Sequence, residues 1–290
     1  MNKRISITFL FYFLVIVLLN SCSSFLYYPN RYLYTQPKKL PFHPSEELIA
    51  LDQNVTLHGW HFSNEARAEK ACVVFFHGNG QNRSAHFVHL YWLVEYGFDF
   101  FIFDYPGYGQ SNGEPSPKST VQAAIAVIER VSQSCNKIAV YGHSLGGQIA
   151  MRAVWELRNK LTPDLLIVDS TFLSYQEVSS KILQKSIITW LFSPLAYILI
   201  SDSYAIGNKL QDLQNIPLVV IHSKKDEIIP FELGKNVFES AKNDKQFWIK
   251  NSGGHQETFS DSEGKDLQKK LLKLLEQKLT FVFSKLKLEA

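Results

Sequence analysis

Hydrophobic and polar positions along the chain fall into two alternating kinds of segment. Short apolar runs of four to six residues recur at 71–76 (ACVVFF), 99–103 (DFFIF), 138–141 (IAVY), 165–168 (LLIV), 217–221 (PLVVI) and 246–249 (QFWI). Runs that are apolar almost throughout, rather than at every second position, are expected of strands covered on both faces, as in a parallel sheet. Between and after them lie stretches whose apolar positions fall three or four apart: 84–95, 119–132 with Ser119 as the expected N-cap, 145–154, and 264–286 with leucines turned inward and lysines outward. Two earlier pieces, 47–51 and 56–62, flank Asp52-Gln53-Asn54 and predict an antiparallel hairpin. The polar stretch 63–70 predicts a loop, and 25–44, rich in tyrosine and proline without a period, an irregular lead-in. Strands alternating with helices predict an α/β fold: a mostly parallel central sheet flanked by helices, with the hairpin at its start.

In such sheets ligands bind beyond the carboxyl ends of the strands. His77, Asp104, Ser144, Asp169, Asp226 and His255 all stand at or just past those ends. Ser144 lies in Gly142-His143-Ser144-Leu145-Gly146, between an apolar run and a helix. The pattern G-x-S-x-G in that context is the nucleophile elbow, where a strained turn lifts a serine hydroxyl above the sheet. Here the chain resembles the α/β-hydrolase superfamily, over about 71–255, and within it the small-capped thioesterase-, monoacylglycerol-lipase- and aminopeptidase-like members.

The resemblance implies a triad in the chain order serine, acid, histidine, which Ser144, Asp226 and His255 obey. Ser144 would attack an acyl carbonyl, His255 would take and return the proton, and Asp226 would orient the imidazole. Asp226 is preferred as the acid because Ser-Lys-Lys-Asp-Glu-Ile-Ile-Pro resembles the family's acid turn; Asp169, after the next strand, is the alternative. The oxyanion donors would be the backbone N–H groups of Leu145 and Asn79, with Gly78 and Gly80 leaving room for substrate. No metal or organic cofactor is implied. The expected substrate is a small carboxylic ester or thioester cleaved through an acyl-enzyme; the alternatives are small peptides, or an envelope protein that keeps the fold for binding only.

The other histidines have plainer expected roles. His143 is expected to pack locally, His77 to shape the oxyanion turn, and His222 to point by strand alternation away from Asp226. His58, His61, His86 and His89 precede the elbow, against the triad order. His86 and His89, three apart, suit a metal pair but lack a third ligand. Asp104, in DYPGYGQS, is expected to be structural.

Composition narrows the picture. The 290 residues suit one α/β domain, expected over 45–290, and the net charge of +3 falls further if the N-terminus is removed. Of the 30 Lys and Arg, two lie in that segment, which leaves 28 against 27 acidic residues and makes nucleic acid an unfavoured partner. Lys3 and Arg4 precede an apolar run over 5–19, the pattern of a secretory signal expected over 1–21, and Leu19-Asn20-Ser21-Cys22 resembles a bacterial lipobox. That resemblance implies acylation of Cys22, a tether over 22–44 and a lipid-anchored place in the cell envelope, facing the periplasm or the surface of the outer membrane; an uncleaved signal anchor is the alternative. The three cysteines suit neither a disulfide scaffold nor a zinc site; whether Cys72 and Cys135 pair is left open, with the reading of Cys72 as a buried strand residue weighing against a bridge. The aromatic insertion at about 171–210 is where the superfamily carries a lid, or else a buried crossover; Trp190 and Phe192 are its candidate acyl-pocket residues. Oligomeric state is left open.

Overall fold

The computed structural model describes residues 26–63 and 71–279. The signal, Cys22, the loop at 64–70 and the chain beyond 279 lie outside the described residues. Eight strands form the main sheet: β1 (Ser45–Ala50), β2 (Thr56–Phe62), β3 (Ala71–Phe76), β4 (Asp99–Phe103), β5 (Lys137–His143), β6 (Leu165–Asp169), β7 (Leu218–Ser223) and β8 (Lys245–Lys250). Their spatial order is β8-β7-β6-β5-β3-β4-β2-β1. β1 with β2 and β2 with β4 pair antiparallel, and every other pairing is parallel.

Every residue of β3, β4, β6 and β7 is buried, because both faces of the sheet are covered. Val74, Val140, Leu166 and Val220 face one core with helices α1 (Pro117–Ser132), α2 (Leu145–Leu157) and α4 (Phe231–Ser240). The alternate residues Val73, Tyr141, Ile167 and Val219 face a second core with α5 (Ser262–Leu279), which contributes Leu271 and Leu275. Each aliphatic chain removed from water this way contributes ~1.5–3 kcal/mol.

The strand order decides where a site can form. From β3 the chain crosses to β4 on one side, and from β5 to β6 on the other. The loops leaving β3 and β5 therefore diverge, opening a crevice at their carboxyl ends.

Local details depart from the sequence expectation. Helix α1 is capped by Ser116, not Ser119: the Ser116 hydroxyl accepts from Ser119 N–H at 3.0 Å and the Ser119 hydroxyl from Ser116 N–H at 2.9 Å. Pro117, with no N–H to lose, is suited to the first helical position. The expected helix over 84–95 is one α-turn (Arg83–His86) followed by 3₁₀ segments, Phe87–His89 and Tyr91–Tyr96. Its buried residues Phe87, Leu90 and Leu93 are three apart, the period of a 3₁₀ turn rather than of an α-helix.

Cys72 and Cys135, whose pairing the sequence left open, form a disulfide. β3 and β5 are neighbours with Cys72 opposite Ile138, so Cys135, just ahead of β5, lies beside β3. Burial of Cys72 protects the bridge rather than preventing it. Closing a loop across 63 residues removes unfolded-chain entropy worth about 4 kcal/mol. Reduction is accordingly expected to lower the melting temperature by several degrees, read by thermal denaturation with and without dithiothreitol; equal melting points would mean that the bridge contributes nothing.

Between β6 and β7 the chain is partly crossover and partly projection. Helix α3 (Tyr175–Gln184) buries Tyr175 and Val178, and Ala205, Ile206 and Leu210 rejoin the core. The stretch between, with 3₁₀ segment Trp190–Leu195 and the short helix Ala196–Leu199, exposes most of its apolar side chains. No helix among the described residues is long and apolar enough to cross a membrane.

Candidate active site

Ser144 sits between β5 and α2 with φ 56° and ψ −123°, a conformation L-residues avoid unless their surroundings enforce it. Three backbone contacts enforce it. Ser144 N–H donates to Asp169 O at 2.8 Å, while Ser144 O accepts from Thr171 Oγ1 at 2.7 Å and Gly147 N–H at 3.0 Å. The flanking glycines are demanded by space: a Cβ on Gly142 would lie 2.4 Å from Gly146 O, and one on Gly146 would lie 2.0 Å from Phe76 O. The Ser144 hydroxyl makes no hydrogen bond among the described residues.

Asp226 and His255 come from different loops. After β7 the chain turns back, and Asp226 Oδ1 accepts from the N–H groups of Ile228 and Ile229 at 2.9 and 2.8 Å. Its Oδ2 lies 2.7 Å from His255 Nδ1. Burial pushes the Asp226 carboxyl up, but hydrogen bonds from His222 and His255 hold it well below the usual carboxylate range. An ionised Asp226 requires His255 to carry its proton on Nδ1, which leaves Nε2 as the basic nitrogen. His222 does not point away from Asp226, as strand alternation suggested: its Nε2 is 3.4 Å from Asp226 Oδ2 and 3.0 Å from Ile229 O. Alternation ends with the strand, and the turn brings the acid back over His222.

Asp169 is occupied elsewhere. Its Oδ2 accepts from the Tyr141 hydroxyl at 2.9 Å and the Thr258 hydroxyl at 2.7 Å and lies 3.2 Å from His89 Nε2. The bond to Thr258 anchors the loop that carries His255. His143 holds the same loop, its Nε2 donating to His255 O at 2.9 Å. Burial pulls the His143 imidazole down to about 3, so it is neutral there.

The loop after β3 is held by a neutral His77, which burial keeps well below the ordinary histidine value. His77 Nδ1 donates to Gly78 O at 2.8 Å. Gly78 O and Asn79 N–H share one peptide plane, so this bond orients the Asn79 donor. On the next plane, Asn79 O accepts from the Tyr108 hydroxyl at 2.7 Å and Tyr28 N–H at 3.0 Å. Leu145 N–H, the first of α2, has no partner within its helix. Gly78 and Gly80 have ordinary or open space where a Cβ would stand, so packing within the chain demands a glycine at neither.

His86 and His89 do not make a metal pair: His86 Nε2 bonds Gly80 O at 2.9 Å, and His89 turns to Asp169. Asp104 is tied to the buried Arg83, accepting from its N–H at 2.8 Å and its Nη1 at 2.7 Å. Trp190 and Phe192, the candidate acyl-pocket residues, are both more than half exposed on the projecting segment. A cavity of about 680 Å³ beside His255 is lined by Lys225, Glu227, Ile228 and Glu257 with the 253–256 loop. Glu227, which the sequence reading passed over, accepts from His255 N–H at 3.2 Å; its place directly after the acid was the available signal.

Comparison with known proteins bears on the fold. The family model Hydrolase_4, described as serine aminopeptidase, S33, matches residues 67–205. The Pyrococcus furiosus esterase Pf2001 superposes with TM-score 0.71 at 20% identity, over 88% of this chain and 99% of the other. The chain has the α/β-hydrolase fold. Among curated proteins, the chain is 29% identical over 274 residues to the Escherichia coli (strain K12) uncharacterized protein YfhR, covering 91% of this chain and 92% of that one. It is also 28% identical over 196 residues to the Mus musculus lysophosphatidylserine lipase ABHD12, covering 64% of this chain and 49% of the lipase.

Proposed function

We propose that this protein, which has the α/β-hydrolase fold, is a serine hydrolase that cleaves carboxylic esters or thioesters through an acyl-enzyme. The observation that carries the reading is the 2.7 Å bond from His255 Nδ1 to a buried, ionised Asp226, at the sheet edge where Ser144 is held on its strained turn. His255 Nε2 takes the Ser144 proton as Oγ attacks the acyl carbonyl, and Asp226 stabilises the imidazolium. The N–H groups of Leu145 and Asn79 receive the developing oxyanion, in a site already organised before reaction. The imidazolium then protonates the leaving alcohol or thiol, and water attacks the acyl-enzyme by the reverse path. The esterase and lipase relatives support ester chemistry. The S33 family match favours aminoacyl amides as the second reading.

The same protein is proposed to work outside the cytoplasm, tethered through an acylated Cys22. The disulfide supports an oxidising compartment. The deciding experiment is turnover of p-nitrophenyl esters from acetyl to palmitoyl, with fluorophosphonate labelling, in membrane and soluble fractions of cells expressing wild type or Cys22→Ala. Ester turnover in the membrane fraction that Cys22→Ala moves to the soluble fraction is expected. No labelling and no turnover on esters, thioesters or aminoacyl amides would end the enzymatic reading; membrane retention of Cys22→Ala would end the lipoprotein one.

A further inference from the structure

The projecting segment between β6 and β7 exposes large apolar side chains at a density a soluble surface does not carry. Ile187 is 90% exposed, Ile188 81%, Leu191 65% and Ile198 70%, with Phe192 and Tyr197 more than half exposed beside them. Single exposed leucines are ordinary, but a cluster of this size marks an interaction surface. Over 178–201 the charged residues are Lys181 and Lys185, with no acid.

A second exposed patch occupies the same edge of the sheet. Tyr28, Tyr32, Leu33 and Tyr34 are 40–68% exposed, with Arg31, Lys38 and Lys39 among them. No acidic residue occurs before Glu46. The base of this lead-in is packed into the core that the start of the lid also joins: Leu26 and Tyr27 are buried in the same cluster as Phe172 and Tyr175. Its next residues are bonded to the loop after β3, through Tyr28 N–H to Asn79 O and Asn82 Nδ2 to the carbonyls of Asn30 and Tyr32. Both patches therefore border the crevice that holds Ser144.

We infer that these two patches together form a docking face for the surface of an anionic lipid bilayer. The chemistry of the face is that of an interfacial anchor: branched and aromatic side chains to enter the acyl boundary, and tyrosine and tryptophan rings for the headgroup level. Its rim of Arg31, Lys38, Lys39, Lys181 and Lys185 attracts anionic headgroups. Cys22, the proposed acylation site, precedes the buried Leu26 by four residues, so the proposed tether would enter the chain next to this face. A second copy of the chain is the poorer occupant, because a two-fold contact would set one cationic rim against another. The lid also reaches the chemistry: Lys185 Nζ donates to the carbonyls of Glu227 and Ile228, in the turn that begins at Asp226. Bilayer contact thus bears on a segment tied directly to the acid's loop.

The inference does not depend on the hydrolase reading, and its first readout is spectroscopic. The full chain is reconstituted in phosphatidylcholine vesicles with and without phosphatidylglycerol, their acyl chains brominated or plain. Brominated chains are expected to quench a component of tryptophan emission that Trp190→Phe removes, and more strongly when phosphatidylglycerol is present. The double variant Ile187→Glu, Ile188→Glu, at positions too exposed to disturb folding, is expected to abolish that quenching. It should also lower turnover of a vesicle-borne long-chain ester about tenfold more than turnover of p-nitrophenyl acetate in solution. Emission indifferent to bromination overturns the inference. So does a dimer in which Trp190 is already shielded from iodide before lipid is added. If no ester is turned over at all, the quenching still decides.

Discussion

Replacing Ser144 by alanine is expected to lower kcat on a p-nitrophenyl ester by about a millionfold, the loss seen when the nucleophile of such a triad is removed. Asp226→Asn should cost about ten-thousandfold, since an amide can present its N–H to His255 Nδ1 and so hold the wrong tautomer. Asp169→Asn is the informative companion. Asp169 spends one oxygen on Tyr141, Thr258 and His89 and makes no bond to the His255 ring, so its exchange should act through the Thr258-anchored loop. A kcat loss within about tenfold, accompanied by a lower melting temperature, is expected. Steady-state kinetics and thermal melts on the three variants separate the cases. A larger kcat loss in Asp169→Asn than in Asp226→Asn would move the acid to Asp169.

Acid is expected to unfold this protein sooner than its carboxylates alone would allow. Burial holds His86 down to about 4, His143 to about 3 and His77 well below the ordinary value. These imidazoles stay neutral in the fold, whereas the unfolded chain protonates them below about pH 6.5. Their contribution is therefore complete above that pH and shrinks as pH falls toward the folded values. At ~1.36 kcal/mol for each pH unit and group, several kcal/mol disappear by about pH 4. Asp169 and Asp226, both held low by their hydrogen-bond donors, add to the loss only below about pH 4. Asp104 works the other way, its carboxyl raised by burial despite Arg83. Melting temperatures from pH 8 to 4 should fall steeply below about 6.5, and His143→Gln should flatten that fall. A flat profile down to about pH 5 would mean that these histidines are not buried neutral.

The sheet was legible because burial on both faces leaves little choice of residue. Runs such as ACVVFF and FFIF have no polar position to confuse with a helix face, and the ends of such runs mark where His77, Asp104, Ser144, Asp169, Asp226 and His255 collect. Asp226 was singled out for another reason: Asp-Glu-Ile-Ile-Pro resembles the superfamily's acid turn, and in the structure its aspartate accepts from the N–H groups two and three residues on. What escaped depends on neighbours the sequence does not order. His222 meets Asp226 only because the turn folds back, and the Cys72–Cys135 bond follows from β5 lying against β3 rather than β4. The exposure of Trp190 and Phe192 escaped too, since an apolar residue carries no mark of whether a core or another surface will cover it.

The bridge between Cys72 and Cys135 also changes how the molecule answers a pull. If the chain is held at its N-terminal end, tension reaches the sheet first through the lead-in and β1 and β2, the strands of the antiparallel edge. Beyond Cys72 the load passes across the sulfurs straight to Cys135, and the 63 residues of separation between them cannot be drawn out. About 220 Å of extension is withheld in this way. The withheld loop contains Asn79 and its His77 support, so that side of the crevice is shielded from strain applied at that end.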